Sequence, residues 1–385
     1  MLFNPITSED HLRRIEETRR LMKKRDLDLL IVFGTNFHVG NCRYLVGSKP
    51  CQGWDYSSYA QGYGTEIVTV PMSGDPALWV FEPMVPWVRD EVASIGLYDE
   101  PWIEVKTLNA FFNDVHRLAR HPKRVAYEGR NITPWPIYEK IRKQMGKDLP
   151  ETDIVEVQRR IKEQKEIKLL EVASRINDQI CNELVDGVIR CGVTEKEVVR
   201  KICELAYSMG VETCDANFMI SDDLGWAHSR DRTIDDGQLL SLHVILSYEG
   251  YFSDNDRVFG FGHVSKEDEE LARACRLALE AGLRTIKPGI KGCEAMEAAW
   301  AAHKHADHSK WSLDVGHSIG LEGEELYSWK DWILEKNMVL CFSPGACYRG
   351  RTWATEDVIH VTANGARLLT KFPVDHVIRR IHVSN

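Results

Sequence analysis

The sequence predicts an α/β chain of the α+β kind, arranged as two domains, on three observations. The chain has 385 residues, and at roughly 100 to 200 residues per domain that length gives about two. Helix-like and strand-like apolar spacings alternate through the first 130 or so residues. Beyond residue 155 a long amphipathic helix pattern is followed by two hairpin patterns with a Gly-His segment between them.

The elements follow in order. Leu12, Ile15, Leu21 and Met22 recur at helical spacing within a charged stretch over 9–25, and the run from Asp28 to Phe33 reads as a buried strand. Two further apolar runs, Glu66 to Val70 and Ala77 to Phe81, flank a turn at 72–76, so a small sheet with helices is expected to fill an amino-terminal domain of residues 1–154. Ile176, Ile180, Leu184 and Val188 then recur on one helical face at the start of a second domain, 155–385. Thr194, with Glu197 three residues on, has the spacing of a capping box and starts a helix over 195–209; another is expected from Glu267 to Thr285.

The two hairpins bear the polar residues. Leu239 to Leu246 alternates, Tyr248-Glu249-Gly250 supplies a turn, and Tyr251 to Phe259 returns. With the turn centred between Tyr248 and Glu249, His243 lies opposite Asp254, and Asp256 shares their face. The second hairpin runs from Met338 to Cys347, turns at Arg349-Gly350 and returns from Thr352 to Val361, which sets Ser343 opposite Glu356.

Composition narrows the function. With 43% hydrophobic and 28% charged residues the chain belongs with folded proteins rather than disordered ones. Its net charge of -9 offers no basic field for a phosphate backbone or anionic lipid, so neither nucleic acid nor membrane is an expected partner, and a small-molecule substrate is. The ten cysteines are scattered without a C-x-x-C pair and read as buried thiols of a reducing compartment. No apolar run suits a signal peptide or reaches the ~18 residues of a membrane span, and a cytoplasmic location is expected.

The run from Gly237 to His243, then Gly250 to Arg257, Gly316-His317-Ser318-Ile319-Gly320, Pro344-Gly345, Glu356-Asp357-Val358 and Asn364 to Pro373 resembles the creatinase/prolidase/methionine aminopeptidase superfamily. The likeness is strong over about 155–380 and weaker over the first 150 residues. It implies a carboxy-terminal pita-bread fold, a smaller creatinase-like amino-terminal domain and a homodimer. In the family's peptidases two metals are held at the positions of His243, Asp254, His317, Ser343 and Glu356, of which Asp254, His317 and Glu356 match. Losing two carboxylates strips negative charge from a dinuclear site, so two ions are not expected. One divalent ion (zinc, iron or manganese) on His243, Asp254, His317 and Glu356, or none, is.

In motif detail the chain is most similar to creatinase, at Ala227-His228, Leu239 to Leu242, Gly316-His317-Ser318 and Thr370 to Pro373. That likeness implies a non-peptidase hydrolase of a small polar nitrogen-containing compound, with His228, His317 and Glu356 catalytic and His228 as the proton carrier. Asp254 and Asp256 would grip the substrate, aided by Tyr59 and Gln61 and, for an anionic group, by Arg349 or Arg351. Its rivals are a mononuclear metal-dependent dipeptidase or lyase of the same fold and a non-catalytic binding module. The cluster His303, His305, His308 reads as solvated surface beside a helix end.

Overall fold

A computed structural model describes residues 4–48, 61–95, 102–118, 124–220, 228–302, 316–325, 328–348, 351–353, 355–372 and 379–381. Two compact units emerge, Pro5–Arg159 and Arg160–Asn385.

The first unit holds β1 (Leu29–Thr35), β2 (Thr65–Pro71), β3 (Ala77–Val80), β4 (Glu104–Thr107) and β5 (Val125–Glu128), which form a five-stranded sheet in the order β4-β3-β2-β1-β5. β1 runs antiparallel to β2 and parallel to β5, so the sheet is mixed. The opening helix, Ser8–Lys24, is capped reciprocally by Thr7 and Asp10. One core gathers Ile31 and Phe33 with Trp79, Phe111, Tyr127 and Ile141.

The second unit begins with the helix Gln164–Glu183, which lies against β7 (Leu239–Tyr248) and β8 (Tyr251–Phe261). Its buried stripe includes Leu169, Ala173, Ile176 and Ile180, and a helix one-sided in this way can be stable only against a partner surface. The next helix is Glu195–Ser208, and there Thr194 Oγ1 accepts from the Glu197 amide while Glu197 returns a bond to Thr194. The capping box expected from sequence is present because it needs only four consecutive residues.

β6 (Thr213–Ile220), β7, β8 and β14 (Arg379–Ile381) form one sheet in the order β14-β8-β7-β6, and β9 (Val339–Phe342), β12 (Asp357–Thr362) and β13 (Gly365–Leu368) another in the order β13-β12-β9. A β-bridge between Asp256 and Glu356 joins the two sheets. The helices Lys266–Thr285 and Gly292–Ala302 cover the second, over a core of Leu279, Met296, Trp329, Leu340, Phe342 and Ile359.

One register differs from expectation. His243 pairs with Asp256, and Asp254 pairs with Ile245. The turn is the two-residue Glu249-Gly250, both at positive φ (49° and 82°), which is the condition of the tight turn that matches strand twist. The displacement is two residues, so every side chain keeps its face. In the second hairpin Asp357 pairs with Phe342, and β10 (Ala346–Tyr348) pairs with β11 (Arg351–Trp353) in the same register, whose continuation sets Ser343 across from Glu356.

The segment with His317 is pinned by a buried ion pair. Lys162 Nζ lies 2.5 Å from Glu325 Oε2, both almost wholly buried, and Glu325 Oε1 accepts from the Leu321 amide at 2.9 Å. At Gly316, φ is 149° and an added Cβ would meet the Cys341 carbonyl oxygen at 2.1 Å. Gly316→Ala is therefore expected to cost about 1–3 kcal/mol of stability through backbone strain and to displace His317. Thermal unfolding together with metal content after reloading checks both; an unchanged pair of values would contradict this placement.

Candidate metal centre

Asp254 and Asp256 lie on β8, two residues apart and hence on one face, while β7 supplies His243 and the bridge at Glu356 supplies the third carboxylate. His243 reaches Asp254 diagonally, with Nε2 2.6 Å from Oδ1. His317 Nε2 stands 3.7 Å from Asp254 Oδ2 and 3.3 Å from Glu356 Oε1. Its other nitrogen, Nδ1, is 3.2 Å from the Ser318 carbonyl oxygen. A carbonyl can only accept, so the proton sits on Nδ1 and Nε2 is the atom turned to the carboxylates.

All three carboxylates are buried, at 2–4% exposure. Burial, reinforced by Asp254, pushes the Glu356 carboxyl above its usual range, and His317 only partly offsets it. Asp256 is raised further by burial and by its neighbours Glu356 and Asp254, against the opposing His243. Burial works against charge on the two imidazoles, yet the surrounding carboxylates win: His243 is held well above the normal imidazole value and His317 is raised to about 9. Negative groups packed this closely are relieved by protons or by a cation.

The donors suit a cation. Asp254, His317, Cys341 and Glu356 present ligand atoms all within 4.8 Å of one another, and His243, Asp256 and Glu356 form a second such group that shares Glu356. Donors around one tetrahedral zinc lie about 3 to 4 Å apart, so contraction by an ångström or so would close the shell. Asp256 Oδ1 has no hydrogen-bond partner among the described residues. Ser343, where the family's peptidases hold a glutamate, offers a hydroxyl in place of a carboxylate.

Behind the carboxylates stands Arg257, buried, which donates from Nη1 to the carbonyl oxygens of Asp256 (2.8 Å) and Glu356 (2.6 Å) and from Nη2 to Asp357 Oδ1 (2.6 Å). Thr370 Oγ1 donates to the same Asp357 oxygen. Thus Arg257 holds the two strands where the bridge forms.

Of the residues singled out by sequence, His243, Asp254, Asp256, His317 and Glu356 come together. His228 is exposed, and among the described residues no hydrogen bond or ion pair ties it to that cluster. Gln61 is exposed in the first unit, where it lines a small pocket with Phe81, Leu108 and Phe112. Tyr59, Arg349, His303, His305 and His308 lie outside the described residues, and Arg351 is described by its strand alone. Sequence reasoning missed Cys341 and Arg257. Cys341 sits two residues before Ser343, so strand alternation could have flagged it as facing the same way.

Residues 168–363 match the family model described as metallopeptidase family M24, and residues 14–166 match the creatinase/prolidase N-terminal domain. The uncharacterized peptidase YqhT of Bacillus subtilis is 30% identical over 242 residues, 60% of this chain and 67% of its own length. The Xaa-Pro dipeptidase of Pyrococcus horikoshii is 28% identical over 231 residues, 57% of this chain and 65% of its own, so the aligned stretch falls just short of two thirds of that relative. Among solved structures, the Xaa-Pro dipeptidase from Bacillus anthracis superposes with a TM-score of 0.77 at 22% identity, covering 96% of this chain and 100% of the other. The dipeptidase PepE from Mycobacterium ulcerans does so at 0.80 and 21%, covering 98% and 99%.

These likenesses bear out the pita-bread fold with a creatinase-like amino-terminal domain. They overturn the expectation of a creatinase-like, non-peptidase hydrolase, because the relatives that match are named as peptidases and dipeptidases. The reason is physical: Leu239 to Leu242 is strand core and Gly316 is a steric necessity beside Cys341. Such residues report the fold and leave the bond cleaved unspecified. Among the described residues no helix is long and apolar enough to cross a membrane.

Proposed function

The chain belongs to metallopeptidase family M24, and from that membership and the site's donor set we propose that it is a metal-dependent dipeptidase working with one divalent ion, on substrates of the Xaa-Pro class. The observation behind this reading is the position of Asp254, whose two oxygens face His243 at 2.6 Å and His317 at 3.7 Å, with Glu356 beside the second imidazole. Asp254, His317 and Glu356 would hold the ion, with His243 against the other oxygen of Asp254. The ion would supply Lewis-acid polarisation of the scissile carbonyl.

The chain's own residues do the rest. The Nδ1 bond to Ser318 fixes the His317 ring, so its Nε2 needs no reorganisation to meet a ligand. Asp256 Oδ1, buried and without a partner among the described residues, suits the free ammonium group of a dipeptide, which a charge-assisted hydrogen bond would hold in register. Burial and the Asp254 carboxylate raise the Glu356 carboxyl in the metal-free protein, so a cation taken up beside it would displace a proton.

Removing metal with a chelator and restoring zinc, iron(II), manganese or cobalt singly should return Xaa-Pro hydrolysis at one ion per chain. Failure of every ion to support dipeptide cleavage, or two tightly held ions, would defeat the reading. Acidity gives a second arm. In the metal-free protein His317 titrates at about 9 instead of 6.5, so its protonated form stabilises the fold fully below about pH 6.5 and that contribution disappears as pH rises through about 9. The raised Asp256 and Glu356 carboxyls act with the same sign. Stability of the metal-free protein should therefore fall between about pH 6.5 and 9 while metal affinity rises, with proton release on binding. Melting curves across that range, with and without metal, check it; a metal-free protein that gains stability with pH would contradict the assignment.

A further inference from the structure

We propose that Cys341 is a sulfur ligand of the ion that Asp254, His317 and Glu356 would hold, which makes the centre a mixed sulfur, nitrogen and oxygen site suited to zinc or iron(II) over manganese or magnesium. This rests on the metal-dependent reading above and adds a ligand to it.

Three observations support the step. Cys341 Sγ lies within the same 4.8 Å group as the donor atoms of Asp254, His317 and Glu356. Its backbone is tied to the histidine it would share the ion with: the Cys341 amide donates to the His317 carbonyl at 2.8 Å, and the Trp329 indole donates to the Cys341 carbonyl at 3.1 Å. Sulfur and imidazole are therefore held by one hydrogen-bonded pair of segments, and little ordering is left to oppose binding. Third, Ser343 leaves the centre a donor short, and Cys341, two residues before it on β9, already stands among the remaining donors.

The chemistry balances. On coordination the thiol S–H bond breaks, the sulfur electron pair bonds to the ion, and the proton leaves to solvent. With the neutral His317 imidazole, one thiolate and the Asp254 and Glu356 carboxylates, a divalent ion leaves a local charge of about -1. Thiolate is a soft donor, and soft donors favour zinc and iron over the hard ions that carboxylates alone would admit.

Cobalt(II) reads this directly. Metal-free whole protein titrated with cobalt should develop visible d–d bands together with a near-ultraviolet thiolate-to-cobalt charge-transfer band. Cys341→Ser should keep the first, lose the second, and bind zinc at least about tenfold more weakly. Visible bands without charge transfer in the unaltered protein would overturn the sulfur ligand and leave the metal reading standing; no cobalt uptake would overturn both. Should the variant fail to fold, X-ray absorption of the unaltered zinc form decides: a sulfur shell at about 2.3 Å is expected, and its absence refutes the proposal. A sulfur shell that persists in Cys341→Ser or Cys341→Ala would also refute it.

Discussion

Asp254→Asn is expected to reduce dipeptide hydrolysis by about 10³-fold or more, equivalent to about 4 kcal/mol of barrier, and to leave the protein unable to retain metal through dialysis. The carboxylate oxygens face the two imidazoles, Oδ1 2.6 Å from His243 Nε2 and Oδ2 3.7 Å from His317 Nε2. An amide keeps the shape but turns one of those oxygens into a donor, which can neither accept from an imidazole N–H nor ligate a cation. The change also removes a charge that holds His243 and His317 protonated in the metal-free state. Metal content by mass spectrometry, with circular dichroism to confirm the fold, measures the effect. A variant that keeps one ion per chain and full turnover would show that Asp254 is no ligand.

The second large effect is on stability. Arg257→Met should lower unfolding free energy by about 3–5 kcal/mol, the cost of removing one partner from a buried ion pair, seen as a drop in denaturation midpoint without a change in slope. Arg257 and Asp357 are 4% and 1% exposed at the side chain, so solvent cannot take the place of the missing cation. The Asp256 carbonyl, the Glu356 carbonyl and the Asp357 carboxylate all lose a donor at once. The double variant Arg257→Met with Asp357→Leu should regain most of the loss, since no unpaired charge is then left buried. A single variant as stable as the parent would remove Arg257 from this role.

What the sequence disclosed and what it hid divide along a physical line. Local signals were legible: the Thr194–Glu197 cap, the stripe at Ile176 and Ile180, though the α-helix ends at Glu183 before Leu184 and Val188, and the strands on either side of Glu249-Gly250 depend on residues close in the chain. The His243 register missed by two because turn type is set by backbone torsion, and Tyr248-Glu249-Gly250 admits more than one centre. Pairs such as Lys162 with Glu325 and Arg257 with Asp357 were hidden, since nothing in a sequence says which buried charge meets which across 100 residues or more. The activity was misassigned on the likeness to creatinase, and the relatives that match are named as peptidases and dipeptidases.

The bridge between Asp256 and Glu356 also has a kinetic consequence. The Arg257 bond to the Glu356 carbonyl spans 99 residues of chain, so the pocket is closed by contacts between residues far apart in sequence, and a loop of that length must lose its entropy before the contacts offset it. The hairpin β7–β8, with its two-residue turn, can form early and alone. His243, Asp254 and Asp256 would then be assembled first, while His317, Cys341 and Glu356 arrive only as the second sheet docks. Metal retention is then expected to be a late reporter of native structure.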